Sequence, residues 1–202
     1  MEEQRNREER KEDGKQRRYK ESGKEVMQGK GKKDAAAKAR FVALCGMMTA
    51  LAFLFSYVET LIPINLGAPG IKLGLANLVT MVSFYLLGTP AAVVITLVRV
   101  ILTGFTFGNM SMMMYSLAGS CVSLILMILV RQKNWFSPVG VSILGGVGHN
   151  VGQLAVATAV LESRTLFYYL PVLLIAGMAA GAVIGILCGR MVKRLVSLPD
   201  LR

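Results

Sequence analysis

After Arg40 the chain has only three acidic residues, Glu59, Glu162 and Asp200, scattered through long apolar runs. A soluble domain of that length needs a far more charged surface. The first forty residues are the reverse: they hold 14 Lys and Arg and 9 Asp and Glu, with almost no large apolar side chain. The break divides the chain into a polar, solvated and partly disordered tail at 1–38, a transmembrane domain at 39–196 and a short C-terminal tail at 197–202. A spanning helix takes about 20 apolar residues, so the apolar part has room for roughly six and none for a folded soluble domain. The expected fold is all-α, a polytopic membrane bundle.

A formal net charge of +11 could point to nucleic acid, but its distribution argues against that. The tail mixes both signs without interleaved aromatic residues, and the remaining basic residues sit mostly beside helix ends. The partners this implies are the lipid bilayer and its anionic headgroups, not nucleic acid. Cys45, Cys121 and Cys188 each lie in an apolar run without a Cys-x-x-Cys spacing, so they read as buried thiols rather than disulfides or metal ligands.

Breakers divide the apolar part into spans. The first covers 40–62 and is followed by an irregular Pro- and Gly-containing loop at 63–70. A second ends near Leu87, before Gly88-Thr89-Pro90. A third ends near Gly104, with a loop at 105–110. A fourth stops at Arg131 and Lys133, a connection at 134–138 leads to a fifth that reaches about Leu161, and a sixth covers 165–187. The second and third are short for full crossings. An amino terminus in the cytoplasm puts the tail, Arg131, Lys133 and the Arg190, Lys193, Arg194 cluster on the inner side, leaving Lys72 and Arg164 outside. The bias of basic residues toward the cytoplasm therefore predicts both termini inside.

Two rows of small residues have helical spacing. Gly177, Gly181, Gly185 and Gly189 are four apart on the sixth span and predict a close helix contact. Ala39, Ala43, Gly46 and Ala50 form a smooth face at the start of the first, either for packing or for docking a partner. The methionines, Met110, Met112, Met113 and Met114 among them, read as adaptable gap fillers, since the Cys and His groups of a copper path are missing.

The polar side chains kept within the spans are the candidates for function, because a charge in the bilayer is costly. Arg99 lies deep in the third span. Glu59 is near the end of the first, Asn77 at the start of the second and Asn109 at the start of the fourth. His149, Asn150 and Gln153 are in the fifth, and Lys72 is in the loop before the second. With both termini inside, these converge on the outer half of the membrane. They predict an outward pocket for a small organic ligand with an anionic group, oriented by Asn and Gln. The competing reading pairs Arg99 with Glu59 and uses His149 and Asn150 to tie helices together. Enzyme motifs are missing: the core has no paired aspartate-rich sequence for prenyl diphosphate chemistry, no phosphate loop, and no His-Glu-x-x-His or Gly-x-Ser-x-Gly. No metal or cofactor is expected.

Residues 39–195 resemble a small bacterial membrane family known as heptaprenyl diphosphate synthase component I, or the Gx transporter family. The likeness rests on Gly67-Ala68-Pro69-Gly70-Ile71-Lys72-Leu73-Gly74-Leu75-Ala76-Asn77, on Leu97-Val98-Arg99-Val100, and on Gly145-Gly146-Val147-Gly148-His149-Asn150-Val151-Gly152-Gln153. That family in turn resembles the substrate-binding S components of energy-coupling-factor (ECF) transporters, six-helix proteins with both termini inside. The resemblance implies a multi-pass protein of the bacterial cytoplasmic membrane that captures a small molecule from outside. It also implies docking through Ala39, Ala43, Gly46 and Ala50 on a transmembrane coupling subunit driven by two ATPases. The alternative it carries is a membrane accessory component of heptaprenyl diphosphate and isoprenoid-quinone synthesis, holding a soluble synthase at the bilayer.

Overall fold

The computed structural model describes residues 2–61, 74–133 and 136–197. The loop at 63–70, Lys72, part of the connection before Pro138 and the tail beyond Ser197 lie outside the described residues. The chain divides into two units, 1–44 and 45–202.

Helix α1 is assigned over Glu2–Leu61. Within the first unit the described residues are helical from Glu2 onward. Its residues are largely Lys, Arg, Glu, Gln and Ala, which favour helix, and no proline occurs before Pro63. The end of this unit, residues 34–43, is exposed.

The second unit holds the rest of α1 and five further α-helices: α2 (Leu75–Leu86), α3 (Thr89–Phe107), α4 (Met110–Gln132), α5 (Pro138–Val160) and α6 (Leu170–Val196). A 3-10 helix, Arg164–Tyr169, joins α5 to α6. Among the described residues there is no strand. Pro90 and Pro138 stand in the first turns of α3 and α5, where a missing N–H costs nothing. The third span continues beyond Gly104 to Phe107, because the breaker that ends it is Gly108. Five helical stretches are long and apolar enough to cross a membrane, at 34–61, 89–107, 110–132, 138–160 and 164–196. Helix α2 is not one of them. Its 12 residues rise about 18 Å, against a hydrocarbon core of about 30 Å.

This short helix is the most enclosed element. Ala76 and an unbroken run from Val79 to Phe84 are buried. Its Met81, Val82 and Phe84 form a core cluster with Ala92, Met127, Val141, Ile184 and Cys188 from the four following helices. Those helices pack in sequence, α3 on α4, α4 on α5 and α5 on α6, and α2 closes the circuit by packing on both α6 and α3. The outer surface carries exposed apolar side chains, including Val94, Ile101 and Phe105 on α3, Ile125 and Leu129 on α4, and Ile175, Val183 and Ile186 on α6. A belt of that kind needs lipid against it. The protein is a multi-pass membrane bundle.

Glycine sets the closest approaches. A Cβ at Gly146 would meet the Gly177 carbonyl oxygen at 2.5 Å, and one at Gly152 would meet the Ala118 oxygen at 2.9 Å. Helix α5 thus offers one glycine face to α6 and another to α4, the arrangement small residues permit where lipid leaves packing as the main attraction. On α6, Gly177, Gly181 and Gly185 lie against Gly146, Ile143 and Val139, whereas a Cβ at Gly189 would meet nothing within 4 Å. The expected four-residue row therefore contributes three contacts among the described residues. Gly189 lies beyond the point where α5 begins at Pro138.

Candidate functional site

Arg99 stands on α3 and is only 9 % exposed. Its Nη2 donates a long hydrogen bond, 3.5 Å, to Asn77 Oδ1 on α2. Its Nε is buried and has no hydrogen-bond partner among the described residues. One turn further along, Thr103 Oγ1 is also buried without a partner there. A buried polar atom left unpaired costs about 1–3 kcal/mol, so two on one helix face call for water or a ligand.

Both line a cavity of about 120 Å³. Glu59 and Ser56 reach it from α1, Asn77 and Thr80 from α2, Ser116 from α4, His149, Asn150 and Gln153 from α5, and Ala176 and Gly177 from α6. Its polar lining includes an imidazole, three amides, a carboxylate, a guanidinium and several hydroxyls. Many of these groups sit at the end of the bundle that carries the α1–α2, α3–α4 and α5–α6 connections. The space is somewhat below the roughly 150 Å³ that holds a benzene ring. It suits a compact polar group rather than a long chain.

Local structure holds several of these groups in place. Glu59 Oε1 accepts a hydrogen bond from the backbone N–H of Leu75 at 2.5 Å. The carboxylate thereby sits at the start of α2, where a helix end favours negative charge. It also acts electrostatically on Arg99. Gly74, immediately before α2, has φ +79°, and a Cβ there would lie 2.8 Å from Ile184 Cδ1. Glycine alone satisfies both restrictions. Asn150 Nδ2 donates to the Leu173 carbonyl oxygen on α6 at 2.7 Å, so this amide both lines the cavity and ties two helices. His149 packs against Gly119 of α4, where a Cβ would come within 3.1 Å of its Nδ1. Phe107 stacks on Phe53 at 5.2 Å and lies 4.8 Å from Tyr57, an aromatic cluster at the edge of the cavity.

Glu59, Asn77, Arg99, His149, Asn150 and Gln153 thus line one space. Asn109 does not. Its side chain caps α4, with Oδ1 accepting from the Met112 N–H at 2.8 Å, and it is exposed. The reason is physical: an Asn just before a helix has its strongest local partner in the free N–H groups of that helix. Lys72 lies outside the described residues. Ala39 and Ala43 are exposed in the first unit. In the second, Gly46 and Ala50 are exposed, and a Cβ at Gly46 would meet nothing within 4 Å.

Some cavity residues carry little or no sequence signal. Thr103 is four residues from Arg99, a helix-face relation that spacing alone can show. Thr80 and Ser116 also line the cavity, but nothing in the sequence separates them from other membrane hydroxyls. Arg131, expected to mark a helix end, has a packing task. Its Nη1 donates to the Phe84 carbonyl oxygen at 2.5 Å, and its guanidinium lies 4.5 Å and 4.7 Å from the Phe84 and Tyr85 ring centres. It occupies an otherwise open carbonyl at the end of α2.

Among the described residues, no group of three or more His, Cys, Asp or Glu side chains could hold a metal ion. Cys45, Cys121 and Cys188 are free thiols.

A family model described as heptaprenyl diphosphate synthase component I matches residues 48–191, most of the chain. No curated protein and no solved structure matches. The matched stretch contains Arg99 and every other cavity residue named above. The chain belongs to the heptaprenyl diphosphate synthase component I family.

Proposed function

We propose that this chain is a non-catalytic membrane component whose cavity holds a small organic molecule with an anionic group, and that it serves heptaprenyl diphosphate synthesis as its family description reads. The observation that carries the ligand site is Arg99. An arginine at a helix centre costs at least about 2.5 kcal/mol on insertion scales, yet this one faces a cavity with Nε unpartnered among the described residues. A guanidinium kept only for packing has its donors matched. Asn77, Thr103, His149, Asn150 and Gln153 supply donors and acceptors that orient the ligand, and Glu59 sets the local charge. In this setting the basic leading segment recruits a soluble synthase to the bilayer.

A second reading uses the same cavity for uptake, with the chain as an S-component-like subunit of an ECF-type transporter. What favours it is the cavity itself, since a scaffold that only tethers a synthase has no use for a cavity lined by so many polar groups. Here Ala39, Ala43, Gly46 and Ala50 dock a coupling subunit in the bacterial cytoplasmic membrane. Both termini lie in the cytoplasm, the orientation that the basic residues at the inner helix ends favour.

The test is purification of the full chain in mild detergent, with native mass spectrometry of co-purifying molecules. The proposal expects a small molecule that is lost in Arg99→Ala and reduced in His149→Ala. Wild-type protein without any ligand, and variants that retain normal cellular function, would refute it. Co-purification of a soluble prenyl synthase, lost on deleting residues 1–33, supports the first setting. Co-purification of a membrane coupling subunit with ATPases supports the second.

A further inference from the structure

A second cavity, of about 210 Å³, adjoins the first. The two share Met112, Ser116 and Gln153 as a common wall. Their linings differ. Beyond that wall the second is built mostly from Leu154, Ala157, Leu161, Leu166 and Leu173, with the rings of Tyr115 and Tyr169. Leu154 and Leu173 are buried and form a small core with Leu166 and Leu170, separate from the main one. A polar chamber with a guanidinium Nε unpartnered among the described residues thus opens beside an apolar one. Met112 between them is unbranched and can swing aside.

Resting on the ligand site proposed above, we infer that the ligand is an amphiphile: its anionic head lies by Arg99 and Thr103, and a short apolar tail crosses the Met112–Gln153 wall into the second cavity. The apolar chamber exceeds the roughly 150 Å³ that encloses benzene, so a tail of about six carbons fits. The occupant is therefore a compound in which a phosphate or carboxylate carries an apolar segment of about that length.

Chain-length dependence tests this. The full chain in lipid nanodiscs is titrated with methyl phosphate, hexyl phosphate and hexanoate, with empty nanodiscs as the blank. Each methylene moved from water into the apolar chamber tightens binding about fourfold, so the five extra methylenes of hexyl phosphate should make it outbind methyl phosphate by about a thousandfold. Ala157→Leu fills the second chamber, and Leu166→Trp fills it from the 3-10 helix if the first variant misfolds. Either should remove at least about tenfold of the hexyl advantage and leave methyl phosphate unchanged. Arg99→Gln should weaken all three probes. Equal binding of methyl and hexyl phosphate, both dependent on Arg99, overturns the tail site and leaves the head site standing. So does a hexyl advantage that neither filling variant reduces. Binding indifferent to Arg99→Gln, or no binding of any probe to wild type, overturns the ligand site and the tail site together. Binding of hexanoate without hexyl phosphate, or the reverse, identifies the head group and supports the inference.

Discussion

Replacing Gly181 with alanine places a Cβ 2.7 Å from Ile143 Cα and 2.7 Å from the Ser142 carbonyl oxygen. Both are backbone atoms of α5, so no side chain can rotate to make room. Ordinary contact at such a site begins at 3.4 Å, and α6 must retreat by roughly 0.7 Å or more to restore it. Overpacking of this kind costs about 1–3 kcal/mol. A gain in helix propensity of up to about 1 kcal/mol opposes it. The net loss is about 1–2 kcal/mol, and at roughly 2–4 °C per kcal/mol for a domain of this size the midpoint falls by about 2–8 °C. Gly189→Ala is the control, since a Cβ there meets nothing within 4 Å. Only the gain in propensity acts there, so the midpoint stays level or rises by a few degrees. The assay is thermal unfolding in one mild detergent, followed by far-ultraviolet circular dichroism. Equal stability of Gly181→Ala and wild type would refute the reasoning. So would a Gly189→Ala loss as large as that of Gly181→Ala.

Substitutions at three further positions separate packing from ligand binding. Arg131→Ala removes the hydrogen bond to the Phe84 carbonyl and the stacking on Phe84 and Tyr85. It should cost about 1–3 kcal/mol in the same melt, with probe affinity at Arg99 unchanged. Asn109→Ala removes the α4 cap and should cost about 1 kcal/mol, again without an effect on binding, while Asn109→Ser keeps most of the stability. Glu59→Gln should act in opposite directions on the two measurements. Stability falls by about 0.3–2 kcal/mol as the charge leaves the start of α2, and anionic probes bind more tightly because a carboxylate no longer competes beside Arg99.

Much of the site is legible in the amino-acid sequence because charge and amide groups are conspicuous among apolar residues. Arg99, Glu59, Asn77, His149, Asn150 and Gln153 stand out for that reason, and all of them line the cavity. Asn109 stands out equally and lies elsewhere. Composition cannot tell a ligand contact from a helix cap when both use the same amide. Thr80 and Ser116 are hidden for the converse reason: a membrane hydroxyl usually bonds to its own helix, as Ser56 does to Ala52. The second cavity has no sequence signal, since leucine and alanine lining a hole look like leucine and alanine packed solid.

Sequence alone determined that this chain lives in lipid, that it is helical, and which few side chains are too costly to be incidental. Those properties are local: they follow from the solvation of each residue and the spacing of its neighbours along one helix. Tertiary structure decided that α2 is a short enclosed helix, that α5 is clamped between two neighbours by glycine, and that Gly189 takes no part. It also decided that a polar chamber and an apolar one share a wall. Periodicity states which residues share a face. It does not state what lies opposite that face, because that depends on the register of separate helices.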